Sequence, residues 1–83
     1  MNTIRILFFG KLADLVTEPE FQQQIESGTL VSDVYEKLAQ QYPLEPLAQQ
    51  PNIKVAINQQ LSGWDQSLSP GDELAFLPPV TGG

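Results

Sequence analysis

Residues 29–43, TLVSDVYEKLAQQYP, decide how the rest of the chain can be arranged. Val31, Val34, Leu38 and Tyr42 recur at intervals of three or four, which places them on one face of a helix. Thr29, just after Ser27 and Gly28, is the predicted N-cap. Pro43 cannot continue the helix, because it lacks an amide proton and its ring clashes with the preceding turn. The spacing therefore predicts one main helix over 29–42, with an apolar stripe that a sheet must cover.

Candidate strands lie on both sides of that helix. The stretch 3–9, TIRILFF, is rich in β-branched and aromatic residues and stops at Gly10. In 20–25, EFQQQI, Phe21 and Ile25 alternate with Gln22 and Gln24, although Gln23 interrupts the apolar row. IKVAIN at 53–58 reads as a third strand and ELAFL at 73–77 as the last, the latter introduced by a turn at 69–72, SPGD. Between them, Leu12, Leu15 and Val16 have the spacing of a short helical connector, 44–51 is turn-like, and 59–65 is a polar excursion holding Leu61 and Trp64. One helix and four or five short strands predict an α+β fold, a mixed four- to five-stranded sheet packed on one main helix in a roll of the ubiquitin kind.

Composition narrows the chemistry. Eighty-three residues give room for one small core, and 4 basic against 10 acidic side chains leave a net charge of −6. Without cysteine or histidine the chain has no disulfide, no thiolate or imidazole metal ligand, no cysteine nucleophile and no histidine base. A pI near 4.1 argues against nucleic acid, whose phosphates call for Lys and Arg, and favours a basic protein partner. No apolar run approaches the roughly 20 residues that cross a bilayer, and no signal-peptide pattern opens the chain, so no membrane association and a cytoplasmic location are expected.

Strand parity and the last residues point to function. If Ile4, Ile6, Phe8, Leu74 and Phe76 face the helix, then Leu7, Phe9, Ala75 and Leu77 face the side that no helix covers, where Leu61 can join them. Loops could cover that face, or it could be a protein-binding patch in which Phe9 and Leu77 act as anchors. A globular domain over 1–77 then runs into a tail at 78–83, PPVTGG. Pro78 and Pro79 end the strand and favour an extended course, and the four residues beyond them reach roughly 14 Å. Gly82 and Gly83, lacking Cβ atoms, fit a slot too narrow for other residues.

The segments IRILFFGKLADLV (4–16), VAINQQL (55–61) and LSPGDELAFLPPVTGG (68–83) resemble the small, sulfur-carrying subunits of molybdopterin synthase. The resemblance implies a ubiquitin-like β-grasp carrier that is not a catalyst alone and binds no cofactor. It further implies that an adenylyltransferase of the ubiquitin-activating kind uses ATP to adenylate Gly83, and that the transient AMP adduct gives way to a thiocarboxylate. Adenylation is needed because an ionised carboxylate resists nucleophilic attack. The sulfur of Gly83 would then be donated to cyclic pyranopterin monophosphate inside the large catalytic subunit, in an assembly of two small and two large subunits, to build the dithiolene. By the same resemblance Val80, Thr81 and Gly82 thread the partner's channel, Pro78 and Pro79 set the tail's direction, and Phe9, Leu61 and Leu77 form the partner interface. A thiamine-pathway sulfur carrier, a ubiquitin-like modifier that forms isopeptide conjugates, and a plain interaction module with a passive tail are the alternatives.

Overall fold

A computed structural model describes residues 2–44 and 53–78. The chain order is β1 (Thr3–Phe8), a 3-10 helix η1 (Gly10–Leu15), β2 (Glu20–Gln24), α1 (Val31–Ala39), β3 (Lys54–Ile57), β4 (Gln60–Ser62) and β5 (Glu73–Leu77). The strands form one mixed sheet in the order β2-β1-β5-β3-β4, with β1 and β5 parallel at its centre and the other pairs antiparallel. This is the predicted α+β architecture with five strands. The fifth, β4, lies inside the stretch read as a polar excursion, because Gln60 and Ser62 alternate with a single apolar residue and carry no strand signal of their own.

One face of the sheet is the core face. Ile4, Ile6 and Phe8 of β1, Val55 of β3 and Leu74 and Phe76 of β5 are buried with Val31, Val34, Tyr35 and Leu38 of α1. Phe76 is the hub of this core, with ring centroids 5.1 Å from Phe8, 5.5 Å from Tyr35 and 6.1 Å from Trp64. Aromatic contacts of this kind add to the area they bury, so the inner layer depends heavily on this one ring. Trp64, on the loop after β4, also meets Tyr35 edge to face at 5.3 Å, so the polar excursion supplies a plug to the core.

The helix is shorter than its spacing predicts, and Thr29 is not its cap. Leu30 is extended and bridges Ser67, while Val31 N–H donates to Gln66 O at 3.0 Å and Ser32 N–H to Trp64 O at 2.9 Å. Loop carbonyls thus satisfy amides that a capping side chain usually satisfies. The Asp33 carboxylate accepts from Leu30 N–H at 3.2 Å, whereas the Thr29 hydroxyl donates to Glu26 O at 2.6 Å and closes the preceding turn. At the other end, Gln40 to Tyr42 continue as turns whose amides bond to Lys37 and Leu38 carbonyls, and regular helix stops three residues before the predicted limit of 42. The predicted connector 11–16 overlaps a 3-10 helix over Gly10–Leu15 that turns Leu12 inward and leaves Leu15 exposed, and Val16, extended just after it, is buried.

Candidate functional site

Among the described residues no helix packs on the opposite face of the sheet, and strand register determines what that face displays. Leu7 of β1 is level with Ala75 of β5, Ala75 with Ala56 of β3, and Ala56 with Leu61 of β4. Paired residues point to the same side, so these four form one apolar row across the sheet. One step along the strands, Leu77 is level with Lys54. Phe9 extends β1 beside it: its φ of −115° and ψ of 158° are those of a strand, and its N–H donates to Phe76 O at 3.1 Å.

Exposure along this surface is uneven. Leu61 is 74% exposed and Phe9 44%, Leu7 and Leu77 are half-buried, and Ala56 and Ala75 are buried. The two alanines carry nothing beyond Cβ, so they form the floor of a shallow depression between longer side chains. Apolar prominences around a shallow floor suit a partner that brings its own side chains to fill the dip. Among the described residues, Phe9, Leu61 and Leu15 are the large apolar side chains most open to solvent, and two of these three lie on this face.

The edge of the patch is polar and fixed. Arg5, level with Glu73, donates through Nε to Glu20 at 2.7 Å, pairs with the same carboxylate through Nη2, and lies 3.8 Å from Glu73. Both sides of the Arg5–Glu20 pair are half exposed, so the pair contributes less than about 1 kcal/mol to folding. Its larger effect is to gather charge at one margin of the apolar row.

Where the chain leaves β5, Pro78 lies against the turn after β1. Gly10 has a φ of +58°, and a Cβ built there would fall 2.7 Å from Pro78 Cγ. Glycine at position 10 therefore allows both the left-handed turn and the close approach of the proline. The predicted tail residues Pro79, Val80, Thr81, Gly82 and Gly83 lie outside the described residues.

Of the interface residues named from the sequence, Phe9, Leu61 and Leu77 share this one face, together with Leu7. Ala56 was not singled out, although the alternation of Val55, Ala56 and Ile57 in β3 carries that signal. Glu20 and Glu73 were also missed as partners of Arg5, since ion pairs between distant strands depend on register. Among the described residues no helix is long and apolar enough to cross a membrane.

Comparison with known proteins gives the chain's family and fold. The molybdopterin synthase sulfur carrier subunit of Mycobacterium tuberculosis is 33% identical over 85 residues, covering 100% of both chains. The solution structure of the small archaeal modifier protein 1 from Methanosarcina acetivorans superposes with a TM-score of 0.75 at 25% identity, covering 100% of this chain and 98% of the other. A complex of subunits 1 and 2 of the molybdopterin-converting factor from Helicobacter pylori contains a chain with the same fold, at a TM-score of 0.63 and 24% identity, covering 98% and 99%. These likenesses identify the fold as the ubiquitin-like β-grasp. With residues 6–83 matching its family model, the chain belongs to the ThiS family.

Proposed function

We propose that this chain is the sulfur-carrier subunit of a molybdopterin synthase. The observation that carries the reading is its end-to-end similarity to a protein of that name at 33% identity. The apolar row on the outer face of the sheet supports it, since a small carrier must be held by larger partners and such a patch is the means. In this reading Phe9, Leu61 and Leu77, with Leu7 and the alanine floor, bind the large catalytic subunit in an assembly of two copies of each. The same surface binds the adenylyltransferase, so the two partners compete for it.

The chemistry takes place at Gly83. The activating partner joins the Gly83 carboxylate to AMP from ATP, with release of pyrophosphate. A sulfur donor then displaces AMP and leaves a thiocarboxylate. Pro78 and Pro79 direct the tail, and Val80, Thr81 and Gly82 pass through the large subunit's channel so that the sulfur reaches cyclic pyranopterin monophosphate. In each transfer the sulfur bonds to carbon of the pterin precursor, water cleaves the Gly83 carbonyl–sulfur bond and the Gly83 carboxylate returns; two such transfers build the dithiolene. AMP and sulfur are transient covalent passengers, and the carrier needs no resident cofactor.

Intact-mass measurement after co-expression with the activating enzyme tests this reading. A gain equal to one sulfur-for-oxygen exchange, absent when Gly83 is deleted, is the expected result. An unchanged mass, or sulfur transfer that survives the deletion, overturns it. The 25% identity to an archaeal modifier favours a second reading, conjugation of Gly83 to lysines, and isopeptide-linked products without thiocarboxylate would decide for that one.

A further inference from the structure

The most exposed leucine of the patch sits on its least supported strand. β4 has three residues, lies at the sheet edge and, among the described residues, pairs only with β3, so the position of Leu61 depends on the turn that joins the two strands. Asn58 and Gln59 make that turn with φ of 52° and 71°, the left-handed pair that a two-residue hairpin needs. Asparagine tolerates this conformation, but the turn is also tied down from outside.

The Asn58 side chain is fastened at both of its polar atoms. Nδ2 donates to Asp72 Oδ1 at 3.0 Å, and Oδ1 accepts from Glu73 N–H at 3.0 Å. Its backbone N–H donates to Glu73 O at 2.8 Å. Asp72 in turn accepts from Ser69 N–H at 2.8 Å through its other oxygen, and its carbonyl accepts from Arg5 N–H at 2.9 Å. Asn58 is therefore where the hairpin carrying Leu61 is joined to the start of β5 and, through Asp72, to β1.

We propose that Asn58 is a positioning residue for partner binding, holding the β3–β4 hairpin so that Leu61 stands beside Ala56 of β3 and in line with Ala75 of β5 and Leu7 of β1. The proposal rests on the partner-binding role given above to Leu61. With Asp72 opposite, only a side chain with a donor and an acceptor at this spacing does the task. Asn58→Asp keeps the acceptor but sets a second carboxylate against Asp72. The swapped pair, Asn58→Asp with Asp72→Asn, again faces a donor with an acceptor at the same place and returns the net charge to its original value.

The test measures affinity of the full chain for the purified large subunit of molybdopterin synthase, with folding checked by circular dichroism. Asn58→Asp should weaken binding about ten-fold, the size expected when one anchor of an interface is displaced. The swapped pair should restore it, and in a Leu61→Ala background Asn58→Asp should have almost no further effect. An unchanged affinity for Asn58→Asp, or an equal loss with and without Leu61, overturns the proposal, the latter because Asn58 would then act on stability alone. If Asn58→Asp does not fold, Asn58→Gly serves in its place, keeping the turn and removing both side-chain bonds. Amide exchange in β4 of the isolated chain gives a partner-free readout: faster in the single variant and normal in the swapped pair as proposed, unchanged in both if the proposal is wrong. Failure of the unaltered chain to bind, or full-strength binding by Leu61→Ala, would instead strike the functional reading.

Discussion

Replacing Leu61 by alanine separates binding from folding more cleanly than any other change on this face. Complete burial of a leucine side chain is worth about 1.5–3 kcal/mol. Leu61 is 74% exposed, so roughly three quarters of that gain remains to be made when a partner covers it. Alanine keeps the Cβ, which leaves a predicted loss of about 1–2 kcal/mol, equivalent to a rise in Kd of about 5- to 30-fold. The same exposure means that folding gains little from the side chain, and unfolding free energy should move by less than about 0.5 kcal/mol. Calorimetric titration with the large subunit reads the first quantity, and urea unfolding of the isolated chain reads the second. A Kd within two-fold of the unaltered chain would refute the assignment of Leu61 to the interface. So would a weakening matched by an equal loss of folding stability, because Leu61 would then belong to the core. Leu77 is a poorer probe, since it is already half-buried and a change there mixes the two effects.

Two further outcomes concern the framework. Phe76→Ala removes the ring that meets Phe8, Tyr35 and Trp64, and should cost about 3–5 kcal/mol in denaturant unfolding, a large fraction of the stability of a domain this small. Gly10→Val places a branched side chain at a φ of +58° and against Pro78, and should destabilise the chain by about 1–3 kcal/mol while shifting the Pro78 resonances in an NMR spectrum; unshifted resonances would show that the proline does not rest there.

How much of this was legible in the sequence follows from the range of the interactions involved. The inner faces of β1 and β5 could be read because alternation is local: Ile4, Ile6 and Phe8 on one side imply Leu7 and Phe9 on the other, whatever the partners are. The stripe of Val31, Val34 and Leu38 was legible for the same reason, although Tyr35, fully buried beside them, was not singled out. The start of α1 was not legible, because the groups that cap it are carbonyls of Gln66 and Trp64, more than thirty residues away and without side-chain identity. Trp64 belongs to the core by virtue of where its loop returns, which no local pattern encodes. Leu61 could be offered to this face only as an apolar residue in a polar loop, and its role at an interface only through resemblance, since β4 has too few residues to show a period. Asn58 had a faint local signal, an asparagine directly after the apolar run of β3, but its bond to Asp72 spans 14 positions.

The central pairing of β1 with β5 also constrains how the molecule is made. The sheet's middle is shared by its earliest and latest strands, so during translation the β1–β2 and β3–β4 hairpins have nothing to join them until residues 73–77 have emerged from the ribosome. Such a long-range closure is slow relative to hairpin formation and carries its loop entropy all at once. The row from Leu7 to Leu61 is assembled at that same step, since Ala75 is its third member. A chain that stops short of residue 73 therefore cannot complete the apolar row that crosses β1, β5, β3 and β4.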